Sequence, residues 1–303
     1  MNCNEPNTLK VRIHKIELTR KIKHAKVMLT GDWHISPIVS KRQYQFLEDA
    51  IAQAKPDLII LQGDLVDSPL ELQRETSQKK LIDSLSLCTK NAPTVLVLGS
   101  HDFITPTKPA NIMKDTAIPT WKKFCKQTGV KLLMDEWYEL DSIRIFGAFQ
   151  DEKCMITDQL KFRDNPRQFL RQLRQYDFSK IANGKGSNKI NWFASHAPYL
   201  KKGSEEILKV FDVASFGHTH GGVVPRGLDE VFSKLHINRG LIAPNRRPLP
   251  RRSRGMIKIS NNTAAIINPG MVGAQFCAPK IAQKLNFIKA AEVSLVEISG
   301  TPQ

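Results

Sequence analysis

Acidic residues are scarce in this chain. Across 303 residues, 29 Asp and Glu stand against 45 Lys and Arg, for a formal charge of +16. Such an excess favours polyanionic partners: nucleic acid, nucleotides, phospholipid or an anionic membrane surface. Cysteine is also sparse. Cys3, Cys88, Cys125, Cys154 and Cys277 are scattered, odd in number and without CxxC spacing. That excludes a disulfide frame or a zinc knot and reads as free thiols in a reducing compartment. No run approaches the roughly 18 apolar residues of a membrane span, and the N-terminus shows no apolar signal-peptide core. A cytoplasmic protein is expected, with peripheral membrane contact through basic residues left open. Low-complexity tracts, internal repeats and interdomain linkers are missing too, so residues 1–303 read as one domain.

What is present is a repeated grammar. Leu58-Ile59-Ile60-Leu61 runs into Gln62-Gly63-Asp64-Leu65-Val66-Asp67. Val27 to Thr30 runs into Gly31-Asp32-Trp33-His34, and Thr94 to Leu98 into Gly99-Ser100-His101-Asp102. Trp192-Phe193-Ala194 leads to Ser195-His196, and Val213 to Phe216 leads to Gly217-His218-Thr219-His220-Gly221-Gly222. Each strand-like run ends in Asp or His, and open α/β sheets gather ligands beyond the carboxyl ends of their strands.

Taken in order, Lys10 to Leu18 alternates as an edge strand, and Lys26 to Thr30 is a buried strand. Ser40 and Gln43 suggest a capping box for a helix whose inner face is Tyr44, Leu47, Ile51 and Ala54. Asp57 to Gln62 is a strand, Leu70 to Cys88 a helix, and Thr94 to Leu98 a third parallel strand. Phe103 to Pro119 reads as a long loop and Trp121 to Gln127 as a helix. Lys131 to Leu140 and Ile143 to Phe149 read as a hairpin, followed by a basic helix over Asn165 to Tyr176. Ile190 to Ala194 and Asp212 to Phe216 are strands of a second sheet, joined by a short helix near Glu205 to Lys209. A basic loop at about 225–254 precedes a hairpin of Gly255 to Ser260 with Thr263 to Ile267. Glu292 to Ser299 closes the chain. The expected fold is α/β, with two packed mixed β-sheets flanked by helices.

Asp32, His34, Asp64, His196, His218 and His220 offer hard oxygen and imidazole donors. Such a set suits Mn, Fe or Zn, and two ions about 3.5–4 Å apart can clamp an in-line phosphoryl displacement. On an extended segment Asp32 and His34 face one side, as do His218 and His220, so each pair makes a clip. His14, His24 and His236 read as structural or solvated, and Asp102 as a helix cap.

The five motifs resemble those of the calcineurin-like metallophosphoesterases: D-x-H, G-D-x-x-D, G-N-H-D/E, a lone His after a strand, and G-H-x-H. The likeness runs from about Lys10 to the end. The GHTHGG form is most similar to the small bacterial phosphohydrolases that include UDP-diacylglucosamine pyrophosphatases. The resemblance implies a four-layer αββα sandwich and two divalent ions, with Mn²⁺ foremost and Fe or Zn as alternatives. One ion would take Asp32, His34, Asp64 and His220. The other would take Asp64, His196, His218 and the Asn position, which is Ser100 here. His101 would be the general acid, oriented by Asp67. The implied reaction is hydrolysis of an anionic phosphodiester or pyrophosphate, nucleotide-linked or lipid-linked, by metal-activated water. A nuclease acting on DNA or RNA is the alternative, and a weakened binding scaffold, suggested by Ser100 alone, is the third. Arg246, Arg247, Arg251 and Arg252, in a loop with no acid after Glu230, are the candidate substrate-binding residues.

Overall fold

The computed structural model describes residues 9–37, 41–156, 159–161, 164–178, 181, 188–200, 202–221, 253–271 and 291–301. Strands β1 (Leu9–Leu18), β2 (Ala25–Thr30), β3 (Leu58–Leu61), β4 (Thr94–Leu96), β7 (Lys131–Leu132) and β14 (Ala291–Gly300) form one sheet in the order β1-β14-β2-β3-β4-β7. It is mixed, because β14 runs parallel to β1 and antiparallel to β2 while β2, β3, β4 and β7 are parallel. The second sheet has β8 (Glu136–Glu139), β9 (Ile143–Gly147), β10 (Ile190–Ala194), β11 (Val213–Phe216), β12 (Gly255–Ser260) and β13 (Thr263–Ile267) in the order β12-β13-β11-β10-β9-β8. Its centre is parallel and its two outer pairs are antiparallel.

Strand alternation decides how these layers stack. Val27, Leu29, Leu58, Ile60, Val95 and Ile298 of the first sheet share one buried cluster with Ile143, Ile145, Ile190, Trp192, Val213 and Ile266 of the second. The opposite faces are covered by helices. Leu47 and Ile51 of α1 (Lys41–Ala54), Leu81 and Leu85 of α2 (Glu75–Asn91), and Trp121 and Phe124 of α3 (Lys114–Thr128) pack with Met28, Ile59, Leu61 and Leu96. Phe169 and Leu173 of α4 (Pro166–Leu173) and Leu208 of α5 (Lys202–Leu208) join Phe146, Phe193 and Phe216. The result is the expected α/β sandwich of two mixed sheets between helices. Cys88, Cys125 and Cys154 are buried free thiols, and no helix among the described residues is long and apolar enough to cross a membrane.

Four local expectations fail, each for an identifiable reason. The strand expected over Lys131 to Leu140 is two strands in different sheets. Asp135 takes a left-handed backbone (φ 59°) and turns the chain from β7 into β8, its carboxylate accepting from Phe149 N at 2.8 Å. The helix expected from Leu70 is interrupted at Arg74, whose backbone is extended. A 3-10 turn over Pro69–Gln73 precedes it, and the Glu71 carboxylate ties the break by accepting from Ser77 Oγ and Arg74 Nη1. Phe103 to Pro119 is not a loop throughout, because β5 (Ile104–Thr105) and β6 (Asn111–Ile112) pair and α3 then starts at Lys114 with Pro119 inside it. Burial of Trp121 and Phe124 outweighs the one hydrogen bond a proline forfeits near a helix start. Tyr44 is 38% exposed, and Ala50 takes the buried position with Leu47, Ile51 and Ala54. Gln43 donates Nε2 to the Trp33 carbonyl at 2.7 Å, which fixes α1 against the first motif. Ser40 lies outside the described residues.

Candidate metal centre

All five motifs leave the carboxyl ends of β2, β3, β4, β10 and β11 on the same side of the sandwich. The β2 and β3 loops run together, with Asp32 N donating to Gly63 O at 2.8 Å and His34 N to Asp64 O at 3.0 Å. Asp102 binds the next pair of loops. Its buried carboxylate accepts from Asp64 N and Leu65 N at 2.9 Å and from Gly99 N at 2.8 Å. Burial and the nearby Asp64 charge push this carboxyl up to about 7, against the pull of the Gly99 N–H. It is therefore more than the helix cap expected of it. Among the contacts that join the sheets here are His196 Nδ1 to the Gln62 carbonyl at 2.7 Å and His218 N to Asp32 Oδ2 at 3.1 Å.

The convergence is not achieved by extended clips. Asp32 (φ 49°), His34 (φ 45°), Asp64 (φ 50°), His218 (φ 69°) and His220 (φ 46°) all hold left-handed backbone. Each such residue costs on the order of 1–3 kcal/mol and persists only where its surroundings over-determine it. The glycines supply those surroundings. A Cβ on Gly99 would run into Asp64 Oδ1 and come within 2.8 Å of His196 Cε1, and one on Gly270 would lie 2.5 Å from Asp32 Cβ.

Three donor clusters lie among the described residues, each with its ligand atoms within 4.8 Å of one another: Asp32, His34 and His220; Asp64, His196 and His218; and, on the rim, His34, Asp67 and His101. In the first, Asp32 Oδ1 is buried without a hydrogen bond and faces His220 Nε2 at 3.6 Å. In the second, Asp64 Oδ2 lies 3.1 Å from His196 Nε2, and His218 Nδ1 lies 3.2 Å from the same nitrogen. His34 Nε2 reaches Asp64 Oδ2 at 4.0 Å, so Asp64 stands between the clusters. The two carboxylates part in charge preference. Burial pushes Asp32 up to about 6, against the pull of His196. Asp64 is also opposed by burial but is held well below the usual carboxylate range by His196 and His101. Burial pulls His196 down, yet Asp64 and Asp32 carry it up to about 9. Buried, preorganised oxygen and imidazole donors of this kind fit borderline-hard divalent ions.

His101 lies on the rim with its ring 4.7 Å from that of His34. Its N donates to Asp64 Oδ1 at 2.8 Å, and its Nδ1 meets the main-chain carbonyl of Asp67 at 2.8 Å. The Asp67 carboxylate instead faces His34 Nδ1 at 3.5 Å. Asp67 thus meets His101 through its main-chain carbonyl and His34 through its side chain. Ser100 is buried and opens the 3-10 turn Ser100–Asp102 beside these groups. Arg246, Arg247, Arg251 and Arg252 lie outside the described residues.

The calcineurin-like phosphoesterase family profile matches residues 25–222, from β2 through the GHTHGG motif. The chain belongs to the calcineurin-like phosphoesterase family. Its class of activity is therefore metal-dependent phosphoester hydrolysis. A metallophosphoesterase of Aquifex aeolicus is 23% identical over 222 residues, 71% of each chain. One from Helicobacter pylori is 21% identical over 217 residues, covering 71% of this chain but 50% of its own. Among solved structures, a dimetal phosphatase from Danio rerio superimposes with a TM-score of 0.46 at 12% identity, over 81% of this chain and 87% of its own.

Three residues of this phosphoesterase centre carry little or no sequence signal. Asp102 is visible only as the last letter of its motif. Gln62 contributes a carbonyl, which any residue has. Asp164, 3.3 Å from His218 Nε2, comes from an irregular segment ahead of α4 and belongs to no motif.

Proposed function

We propose that this chain hydrolyses a phosphodiester or pyrophosphate bond with two divalent ions, Mn²⁺ foremost and Fe or Zn as alternatives. The observation that carries this reading is the pair of donor clusters joined at Asp64. Asp32, His34, Asp64 and His220 would hold one ion, and Asp64, His196, His218 and Ser100 the other. Such ions, when bound, acidify water and neutralise charge on the phosphoryl oxygens.

The chain's own groups do the rest. The Asp67 carbonyl engages His101 Nδ1, which leaves Nε2 to deliver a proton to the leaving oxygen; burial, opposed by Asp64, lowers the imidazole from its ordinary value, so that proton is readily given up. Asp67 also keeps its carboxylate on His34 Nδ1, which aims His34 Nε2 at the cluster. Asp102 holds the loops that carry Asp64 and His101 in register. Ser offers a shorter, weaker oxygen than Asn, so the second ion is held weakly while the chemistry is retained.

The net charge of +16 supports an anionic substrate. A lipid-linked nucleotide pyrophosphate is the first candidate, with Arg246, Arg247, Arg251 and Arg252 taking the part remote from the ions. The same charge favours nucleic acid as the second reading, which a steep loss of affinity with salt would identify. The test is a screen of Mn²⁺-loaded protein against an aryl phosphomonoester, an aryl phosphodiester, nucleotide pyrophosphates and DNA. Diester or pyrophosphate turnover is expected to lead, and inactivity on every substrate would overturn the reading in favour of a scaffold.

A further inference from the structure

Histidine presents two nitrogens, and the partner of one decides which way the other carries its lone pair. Across the second cluster these partners are defined. His196 Nδ1 is within 2.7 Å of the Gln62 carbonyl, an acceptor only, so Nδ1 keeps its proton and Nε2 is the nitrogen aimed at Asp64 and His218. His218 presents Nδ1 to the same place, 3.2 Å from His196 Nε2. Its Nε2 faces Asp164 Oδ1 at 3.3 Å.

We infer that Asp164 is a positioning residue for His218. It fixes the tautomer with the proton on Nε2, so that Nδ1 is the nitrogen offered to the second ion. The carboxylate is itself held: Tyr199 OH contacts both the Cys154 carbonyl at 3.0 Å and Asp164 Oδ1 at 3.3 Å. Tyr199 in turn packs edge-on against Phe169 of α4, with ring centroids 5.6 Å apart. Asn165, the next residue, caps α4 through Gln168 N. Asp164 is thus pinned between a helix start and a buried phenol, on a segment otherwise remote from the motifs. His218 needs such support because its backbone is left-handed (φ 69°) and its ring is less buried than that of His196. With Ser100 as a weak fourth partner, the second ion depends more on this imidazole than it would beside an Asn.

The inference rests on the two-ion reading, and the experiment separates the two. Zn²⁺ is titrated into metal-free wild type, Asp164→Ala, Asp164→Asn and Tyr199→Phe, with stoichiometry and affinity read by calorimetry. Histidine tautomers are read by ¹⁵N NMR in the zinc-loaded protein. Wild type is expected to bind two equivalents, with a zinc-bound histidine signal, coordinated at Nδ1 and protonated at Nε2, that His218→Gln removes. Asp164→Ala should weaken the second equivalent about 10–100-fold, the usual cost of losing an outer partner, and leave the first unchanged. Asp164→Asn, which keeps an acceptor oxygen, should fall between the two, and Tyr199→Phe should have a smaller effect. If wild type binds only one equivalent, the two-ion reading fails. If it binds two and Asp164→Ala retains both affinities and the tautomer, even with a lowered melting temperature, Asp164 is merely structural.

Discussion

His196 Nε2 and His218 Nδ1 stand 3.2 Å apart, and the far nitrogen of each ring already faces an oxygen acceptor, the Gln62 carbonyl and the Asp164 carboxylate. Two imidazole nitrogens brought so close beside a carboxylate call for positive charge between them, a proton in the metal-free protein or a bound cation. Asp64 adds a carboxylate oxygen 3.1 Å from the same nitrogen. The loops spend left-handed backbone at Asp32, His34, Asp64, His218 and His220 to bring about this meeting of donors. Left-handed residues and facing donors together mark a centre organised for cations rather than for folding stability.

Asp64 stands between both clusters, so its charge is felt by each. Asp64→Asn is expected to reduce hydrolysis by more than about 100-fold, beyond the usual cost of an outer-partner change. Steady-state rates at saturating Mn²⁺ check this, and wild-type turnover would remove the bridging role.

His101 touches Asp64 through its backbone and Asp67 through its ring. His101→Ala keeps the first contact and deletes the second. Turnover should fall about 10²–10⁴-fold, the scale of general acid–base catalysis, with bound metal unchanged by elemental analysis. A matching loss of metal would make His101 a ligand.

Asp102 satisfies the buried N–H groups of Asp64, Leu65 and Gly99. Each buried donor left without a partner costs about 1–3 kcal/mol. Asp102→Ala should therefore destabilise the metal-free protein by roughly 3 kcal/mol or more, read from urea unfolding. Asp102→Asn, which retains one acceptor oxygen, should cost less. A loss below roughly 1 kcal/mol in Asp102→Ala would mean that water replaces the carboxylate.

His14 lies away from the centre, buried on β1 beside Arg12 and Glu292. Burial, aided by the Arg12 charge and opposed by Glu292, lowers its imidazole to about 4. The unfolded chain takes up that proton near pH 6.5, whereas the native state resists until about pH 4. Above pH 6.5 both states are neutral and His14 contributes no slope. As pH falls from 6.5 towards 4 the unfolded state gains, by up to about 3 kcal/mol at 1.36 kcal/mol per pH unit. Urea midpoints across this window should fall less in His14→Gln than in wild type. Parallel curves would exonerate His14.

Much of this was legible beforehand because strand ends and apolar periodicity are local properties. The runs before Gly31, Gly63, Gly99, Ser195 and Gly217 form the strands expected of them, and Asp32, His34, Asp64, His196, His218 and His220 converge. The means of convergence was not legible, since a left-handed backbone at Asp32 or His220 depends on the neighbouring loop. Nor was the sheet change at Asp135, where one residue's conformation redirects a strand. Asp164 and the Gln62 carbonyl act through positions that only the tertiary fold brings to a histidine. That Asp67 meets His101 through its carbonyl and His34 through its carboxylate was not legible either, because spacing does not say whether a residue acts by side chain or by backbone.

The central claim is that Asp64 joins two ion sites, of which the one containing Ser100 is the weaker. The most direct measurement is a Mn²⁺ titration of metal-free protein, following bound metal and aryl phosphodiester hydrolysis together, for wild type and Ser100→Asn. Two binding steps are predicted, with activity rising on the second, and Ser100→Asn should move that second step about 10-fold or more to lower metal without greatly changing the plateau rate. Full activity after one equivalent, or no hydrolysis at any Mn²⁺ concentration, would contradict it.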